Sequence, residues 1–532
     1  MKVSGDLIVD AEPSGVGDDA AAGLWGGRMS ASDTYVEVVG PRRAVAAPRT
    51  RFRRRALVLG AVAACYGLVQ FVVTRRVPLG WDETVYVSQV AHGVPAAVFS
   101  APRSRGIVLL VAPVSLITDS MAAIRVYLSL LSAAGLALAY WPWLKIRTGV
   151  VVPLAAVLFA TQWLSIFYGN EAMPNPYVAF GAVAATGWFL RILAEPGTWL
   201  PRAGLAFALA FTALMRPFDA VWVGLPLLVA AAVKRRWAPM VTALVGLAAG
   251  GGEWIVEAYL SYGGPLSRLH AAGADNETGL HLSLGAHLRA LNGPLLCRPP
   301  TSCGGYPRLD VLWFAAIPLL AIVGLAVLRH ERSPHFRAAA LAGVVGTTTA
   351  ASYFVLVGYA APRFLMPAYA LAALPVAEGI TGLCHHAPGR LRTAAVVLAA
   401  IGVVAYAGLQ ARTLYRLVPY EHRVRSADVQ VAGQLTRLGI TAPCLLYGHD
   451  AVQIAYYLHC DSRGVMTHWG GTQVPASIET ALAAGRHVAV TTRTKKAPAP
   501  FLNTWQRRPL PAVTATRHWY AYVPAAASSP AP

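Results

Sequence analysis

From Ala56 to about position 411 the chain alternates long apolar runs with short basic, proline or glycine breaks. A bilayer-crossing helix takes about 20 apolar residues. Runs of that order recur at 56–74, 121–144, 150–168, 174–193, 202–215, 218–233, 238–258, 310–328, 337–357, 364–383 and 393–411. The pattern predicts a polytopic α-helical membrane protein with about eleven transmembrane helices. The pair 202–215 and 218–233 is short and broken at Arg216–Pro217. The apolar segment Gly106–Thr118 is too short to cross a bilayer and reads as a juxtamembrane or re-entrant helix.

The two ends differ from this middle. Residues 1–55 are rich in Gly, Ala, Ser and Asp and finish in the basic block Arg49, Arg51, Arg53, Arg54 and Arg55. They read as a disordered cytoplasmic tail stopped against the membrane. No short apolar core follows Met1, so no secretory signal is expected and the first span stays as an anchor. Beyond 412 the chain turns polar. Helix-like stretches at Ser426–Leu438 and Ala451–Leu458 alternate with apolar strands at Cys444–Tyr447 and near His487–Thr491, which predicts a small α/β domain over 412–524. Residues 525–532 read as disordered, and 56–411 as the membrane domain.

Composition narrows the function classes. Only 13% of the 532 residues are charged, 56% are hydrophobic and the mean hydropathy is +0.49. A soluble domain carries roughly 25% charged residues, so a single water-soluble enzyme is excluded. The net charge of +20 could suggest a nucleic-acid partner, but its placement reads as the positive-inside bias of membrane proteins. Every second connection is basic: Lys145 and Arg147; Arg191 and Arg202; Lys234, Arg235 and Arg236; Arg329, Arg332 and Arg337; Arg390 and Arg392. That parity puts the loops 75–120 and 259–309, and everything after 412, outside the cytoplasm. No nucleic-acid partner is expected. On the outer side Cys297 with Cys303, and Cys444 with Cys460, are disulfide candidates. A zinc site is the rival, without a paired Cys-x-x-Cys to support it.

Candidate chemistry gathers on that outer side. The first outer loop begins Pro78-Leu79-Gly80-Trp81-Asp82-Glu83, and adjacent carboxylates at a membrane interface are costly unless they face a cavity. Asp82 and Glu83 could take a proton from an attacking hydroxyl or bind a cation; a solvated loop start is the plainer alternative. Glu171 lies at the outer end of the third span, so one site could hold it together with Asp82. Arg103, Arg105, Arg216 and Arg363 lie on the same face. Arginines there need a reason, either a lipid phosphate or pairing with Asp82, Asp219 or Glu171. His270, His281 and His287 match no metal spacing, and Trp469 near two glycines could stack on a sugar or simply sit on a surface.

In order and topology these segments resemble the GT-C superfamily, polytopic glycosyltransferases that use a sugar linked to a polyprenyl phosphate, and within it the protein mannosyltransferase and aminoarabinose transferase-like branch. The resemblance rests on Asp82-Glu83 in the first outer loop, Arg125 after Thr118-Asp119-Ser120, Glu171 before Pro174, the Leu214-Met215-Arg216-Pro217 break and Pro362-Arg363-Phe364-Leu365-Met366-Pro367, over roughly residues 55–410. It implies Asp82 as catalytic base, with Glu83 beside it and Glu171 as second acid. It implies contacts to a lipid phosphate from Arg103 or Arg105 and from Arg363. A Lys-Pro-Pro found in relatives is absent here. The partners it implies are a polyprenyl-phosphate sugar donor, membrane lipid and an extracytoplasmic acceptor, at the cell membrane. No cofactor is required, and a divalent metal stays open because relatives differ. No nucleotide-sugar DxD, P-loop or Rossmann fingerprint occurs. The rival from another class is a secondary transporter or lipid flippase with intramembrane acids, for which matching inverted repeats would be the sign; a catalytically silent scaffold is a third reading.

Overall fold

A computed structural model describes residues 48–463, 474–514 and 517–525. The stretches 1–47 and 526–532, expected to be disordered, and the segment with Trp469 lie outside the described residues. The first helix begins at Pro48 and runs to Thr74, so Arg51, Arg53, Arg54 and Arg55 form its first turns. All eleven apolar runs are helical. Among the described residues, eight helices are long and apolar enough to cross a membrane, and the bent pair Val151–Ala160 and Trp163–Gly169 would make a ninth. Trp199–Met215 and Pro217–Val233 have 17 residues each, so a count of eleven spans rests on those two short helices. Gly106–Ser115 is a ten-residue helix.

The breaks have local causes. Between the two halves of the bent pair, which meet at 70°, Gln162 adopts an extended conformation. The freed Trp163 amide donates to Gln410 Oε1 at 3.1 Å, a side-chain cap supplied by the last apolar run. At the other break Arg216 is extended and Pro217 starts the next helix, where its missing N–H costs nothing. Close helix contact is bought with glycine: Gly324 and Gly379 face each other, and a Cβ on either would collide with the backbone opposite.

Two helices form the middle of the bundle. In Pro174–Ala194 and Pro362–His386, 72% and 89% of the apolar window is buried, so neighbouring helices fix both. Glu171 and Arg363 sit at the N-terminal ends of these two helices, which gives them a rigid frame.

The last long helix, Gly389–Arg437, runs 49 residues without a break across position 412 and through Pro419. It leads into a five-stranded sheet: β1 (Cys444–Gly448), β2 (Asp461–Arg463), β3 (His487–Thr492), β4 (Gln506–Thr514) and β5 (Arg517–Val523). The order is β2-β1-β3-β5-β4, parallel across β2, β1 and β3 and antiparallel from β3 onward. Cys297 is bonded to Cys303 and Cys444 to Cys460.

Candidate functional site

The first outer loop folds at once into a short helix, Trp81–Ser88. Asp82 and Glu83 open it, and the Gly80 amide is capped by Glu83 Oε2 at 3.0 Å. Consecutive helical residues point about 100° apart, so the two carboxylates must meet different neighbours. Glu83 turns inward. Its Oε1 accepts from Arg125 Nη1 at 2.6 Å and from the Ala172 amide at 2.8 Å; its Oε2 accepts from Arg125 Nη2 at 2.9 Å, the Gly80 amide and Arg425 Nη1 at 3.2 Å. Side-chain exposure is 1% for Glu83 and 0% for Arg125. Burial alone would raise the Glu83 proton affinity, but Arg125 and Arg425 with the Gly80 amide outweigh it and hold the carboxyl below its usual range.

Glu171 joins this buried group rather than Asp82. Arg425 Nη1 donates to Glu171 Oε1 at 2.8 Å and to the Pro78 carbonyl at 3.2 Å, while Arg425 Nε donates to Glu421 at 3.0 Å. Glu171 has fewer donors than Glu83. Burial dominates there, Arg425 opposes it and the Glu83 charge adds to it, so its proton affinity is pushed up to about 7. Gly80 is required by close approach: a Cβ would stand 2.9 Å from the Arg425 guanidinium carbon.

Asp82 faces the other way and reaches the surface. Its Oδ1 accepts from Arg103 Nη2 at 2.6 Å and its Oδ2 from Arg363 Nη2 at 2.9 Å. The carboxylate keeps 28% exposure while the two arginines keep 13% and 14%. Burial pushes its proton affinity up, but Arg103, Arg363 and more remotely Arg216 overcome that and bring it down to about 2. Arg103 lies over the Tyr86 ring at 4.9 Å and Arg363 beside the Tyr168 ring at 5.9 Å. The buried Tyr168 hydroxyl stands beside the Arg363 guanidinium, and its O–H finds no acceptor. Arg363 also donates to the Leu295 carbonyl. The disulfide loop is stitched to the segment before Arg363 by the Cys297 amide on the Ala360 carbonyl at 2.7 Å.

The other two arginines are placed differently. Arg216 pairs with Asp219 at 2.9 Å, and Asp219 also accepts from the Tyr353 hydroxyl; the Arg216 guanidinium lies 4.8 Å from the Phe364 ring. Arg105 is turned away from Asp82. It grips Glu257 through Nε and Nη2 and Gln89 through Nη1, and the buried Arg268 shares Glu257. Arg105 thus ties the first outer loop to the helix Trp237–Ser261.

The sequence reading missed Arg425, the hub of the inner group. Its only local signal is Glu421 four residues before it on a helix. The orphan Tyr168 hydroxyl and the Tyr353–Asp219 bond were likewise unread. Among the described residues no group of three or more His, Cys, Asp or Glu gathers where a metal could sit. The accessible carboxylate is flanked by two guanidinium groups, a donor set that opposes a dication. The arrangement offers one partly exposed, ionised carboxylate flanked by cations able to take a dianion, built on a buried ion network that holds its helix.

No protein-family profile matches the sequence, and no curated protein matches it. Among solved structures the chain is similar to ArnT from Cupriavidus metallidurans bound to undecaprenyl phosphate, with TM-score 0.57 and 14% identity over 88% of this chain and 99% of that one. The apo state of ArnT gives 0.55 and 13% over 87% and 97%. The arabinofuranosyltransferase AftD from Mycobacteria gives 0.50 and 14% over 88% of this chain and 40% of that one. At such identities the likeness is one of fold. The chain is a multi-pass membrane protein with the GT-C fold and a small C-terminal sheet region.

Proposed function

We propose that this chain is an integral membrane glycosyltransferase that moves a hexosyl or pentosyl group from a polyprenyl-phosphate carrier to an acceptor outside the cytoplasm. In this reading residues 56–411 form the catalytic membrane domain of a plasma-membrane protein, and 412–524 an outer domain. The observation that carries it is Asp82: a carboxylate open to solvent, bridged by Arg103 and Arg363, on a fold shared with a protein solved with undecaprenyl phosphate. A transporter reading has no comparable observation behind it.

The chemistry follows from the pairing. An acceptor hydroxyl oxygen attacks the anomeric carbon, the bond from that carbon to the lipid phosphate oxygen breaks, and the hydroxyl proton passes to Asp82. With two guanidinium groups on it, Asp82 is a weak base at rest. A lipid phosphate drawing Arg363 and Arg103 onto its own oxygens would remove those counter-ions and raise the basicity of Asp82 as the acceptor arrives. The same arginines then neutralise the leaving phosphate. Tyr168 offers its free hydroxyl to a donor oxygen beside Arg363. Arg216, held by Asp219, adds positive potential at slightly longer range. Glu83 and Glu171 act as positioning residues, since neither reaches the surface. A single displacement inverts the anomeric configuration. No step is routed through a metal, for which the flanking cations leave no suitable place.

The test is complementation of a deletion host. Asp82→Asn should leave the protein in the membrane at wild-type level, abolish the envelope sugar that the wild type adds, and let the polyprenyl-linked donor accumulate. A near-normal glycan in that variant would remove Asp82 from the mechanism.

A further inference from the structure

A second site lies apart from Asp82. A cavity of about 560 Å³ opens where the first span ends, walled by Arg75, Arg76 and Met121 on the membrane side and by Val429 and Tyr456 from the C-terminal region. None of the Asp82, Arg103, Arg216 and Arg363 cluster lines it. Arg75 and Arg76 follow directly on the span that ends at Thr74, which sets them at headgroup depth. Both are exposed, and neither forms an ion pair with a carboxylate among the described residues, although Asp119 also lines the cavity. Every arginine of the Asp82 site is paired, so two unpaired ones side by side are a different kind of feature.

A second observation points to a ligand. Tyr456 is 7% exposed, lines the cavity, and its buried hydroxyl has no hydrogen-bond partner. A buried unpartnered hydroxyl costs free energy unless something supplies the missing bond. Met121 and Val429 give the cavity an apolar part of its wall. The ligand that suits the arginines, Tyr456 and the apolar wall carries a phosphate, a hydroxyl or ester oxygen and an apolar stem.

We propose that this cavity binds the phosphate headgroup of an anionic membrane lipid and so docks the C-terminal region against the lipid surface. Free inorganic phosphate shares the first part of that chemistry and lacks the stem. The site does not depend on the transferase reading, because its readout is lipid retention rather than sugar transfer.

The experiment uses the full chain reconstituted in an equimolar mixture of phosphatidylcholine and phosphatidylglycerol, re-extracted into detergent, with bound lipid counted by native mass spectrometry. Wild type should retain phosphatidylglycerol in preference to phosphatidylcholine. Arg75→Gln/Arg76→Gln should weaken retention roughly tenfold or more, the worth of one or two charge-assisted hydrogen bonds. Tyr456→Phe, which removes only a hydroxyl, should weaken it about threefold to tenfold. Arg51→Gln/Arg53→Gln at the opposite end of the same helix should change nothing. Equal retention in the Arg75/Arg76 variant overturns the proposal. So does an unchanged Tyr456→Phe, which would reduce the arginines to ordinary headgroup contacts. Displacement of the lipid by excess inorganic phosphate would assign the site to the free anion instead.

Discussion

Glu83→Gln and Glu171→Gln remove one charge each from the same buried network, and the structure predicts very different costs. Glu83 accepts five donors between 2.6 and 3.2 Å, two of them a bidentate grip from the fully buried Arg125. A glutamine there keeps one acceptor oxygen and turns its NH₂ toward groups that are themselves donors. It also leaves Arg125 with backbone carbonyls as its remaining direct acceptors. Breaking a buried ion pair from one side costs about 3–5 kcal/mol. Glu171 receives one ion pair, from Arg425, which retains Glu83 and Glu421 when that contact is lost. Its replacement should cost about 1 kcal/mol or less. The assay is the thermal unfolding midpoint in one detergent, read by intrinsic fluorescence from the 14 tryptophans. Glu83→Gln should lower the midpoint several times more than Glu171→Gln. Adding Arg125→Met to Glu83→Gln should restore part of the loss, because an apolar side chain is cheaper there than an unpaired cation. Equal midpoints for the two single variants, or a double variant worse than Glu83→Gln alone, would refute the assignment of Glu83 and Arg125 as a mutually compensating pair.

Glu171 also gives a pH dependence. With its folded proton affinity raised from the ordinary glutamate value of 4.5 to about 7, the folded state binds the extra proton between those values. Stability should therefore fall as pH rises through that window and level off above it, and Glu171→Gln should close the gap between thermal midpoints at pH 5 and pH 8. Gly80→Ala should lower the midpoint by the equivalent of about 1–3 kcal/mol, because its Cβ would stand 2.9 Å from the Arg425 guanidinium carbon. Cys444→Ser/Cys460→Ser opens a loop of 16 residues and should cost about 3 kcal/mol, read as a lower thermal midpoint, and reduction, which also opens Cys297–Cys303, should lower the variant's midpoint less than the wild type's.

Apolar periodicity was enough to find every long helix of the membrane body, because a bilayer forces each crossing to be a self-satisfied helix; the short outer-loop helices Trp81–Ser88, Pro265–Asp275 and Leu284–Arg289 were not read. The count of eleven full spans is not confirmed: Trp199–Met215 and Pro217–Val233 have the helical pattern but only 17 residues each. The helix Gly389–Arg437 was read as two pieces, an apolar run ending near 411 and a helix-like stretch from Ser426; Pro419, which lies between them, is a local helix breaker. Packing overrode that local cost: Thr413, Leu414 and Leu417 are buried on one side of Pro419 and Arg425, Val431 and Leu435 on the other. In the C-terminal region β1 and β3 were legible as apolar runs, but the β4–β5 hairpin was not. Gln506–Pro509 and Arg517–His518 are too polar to read as strand, and their order comes from the pairing itself.

At the site, the residue types were legible and their partners were not. Asp82 with outer arginines on its face and both disulfide pairs could be named from topology, whereas which of Asp82, Asp219 and Glu171 each arginine would meet could not. That Glu83 is buried and Asp82 open is decided by which neighbour each meets around one helical turn. The cation that Glu83 and Glu171 share, Arg425, comes from 342 residues away from the first and 254 from the second. No local pattern reports so distant a partner.

The most direct measurement is native mass spectrometry of the gently purified full chain followed by lipid extraction, with wild type compared against Arg363→Ala. A polyprenyl phosphate or its sugar-loaded form should accompany the wild type and be lost from the variant, since Arg363 is the cation that the phosphate would take from Asp82. Bulk phospholipid alone in both samples would contradict the assignment of this site to a polyprenyl-phosphate donor.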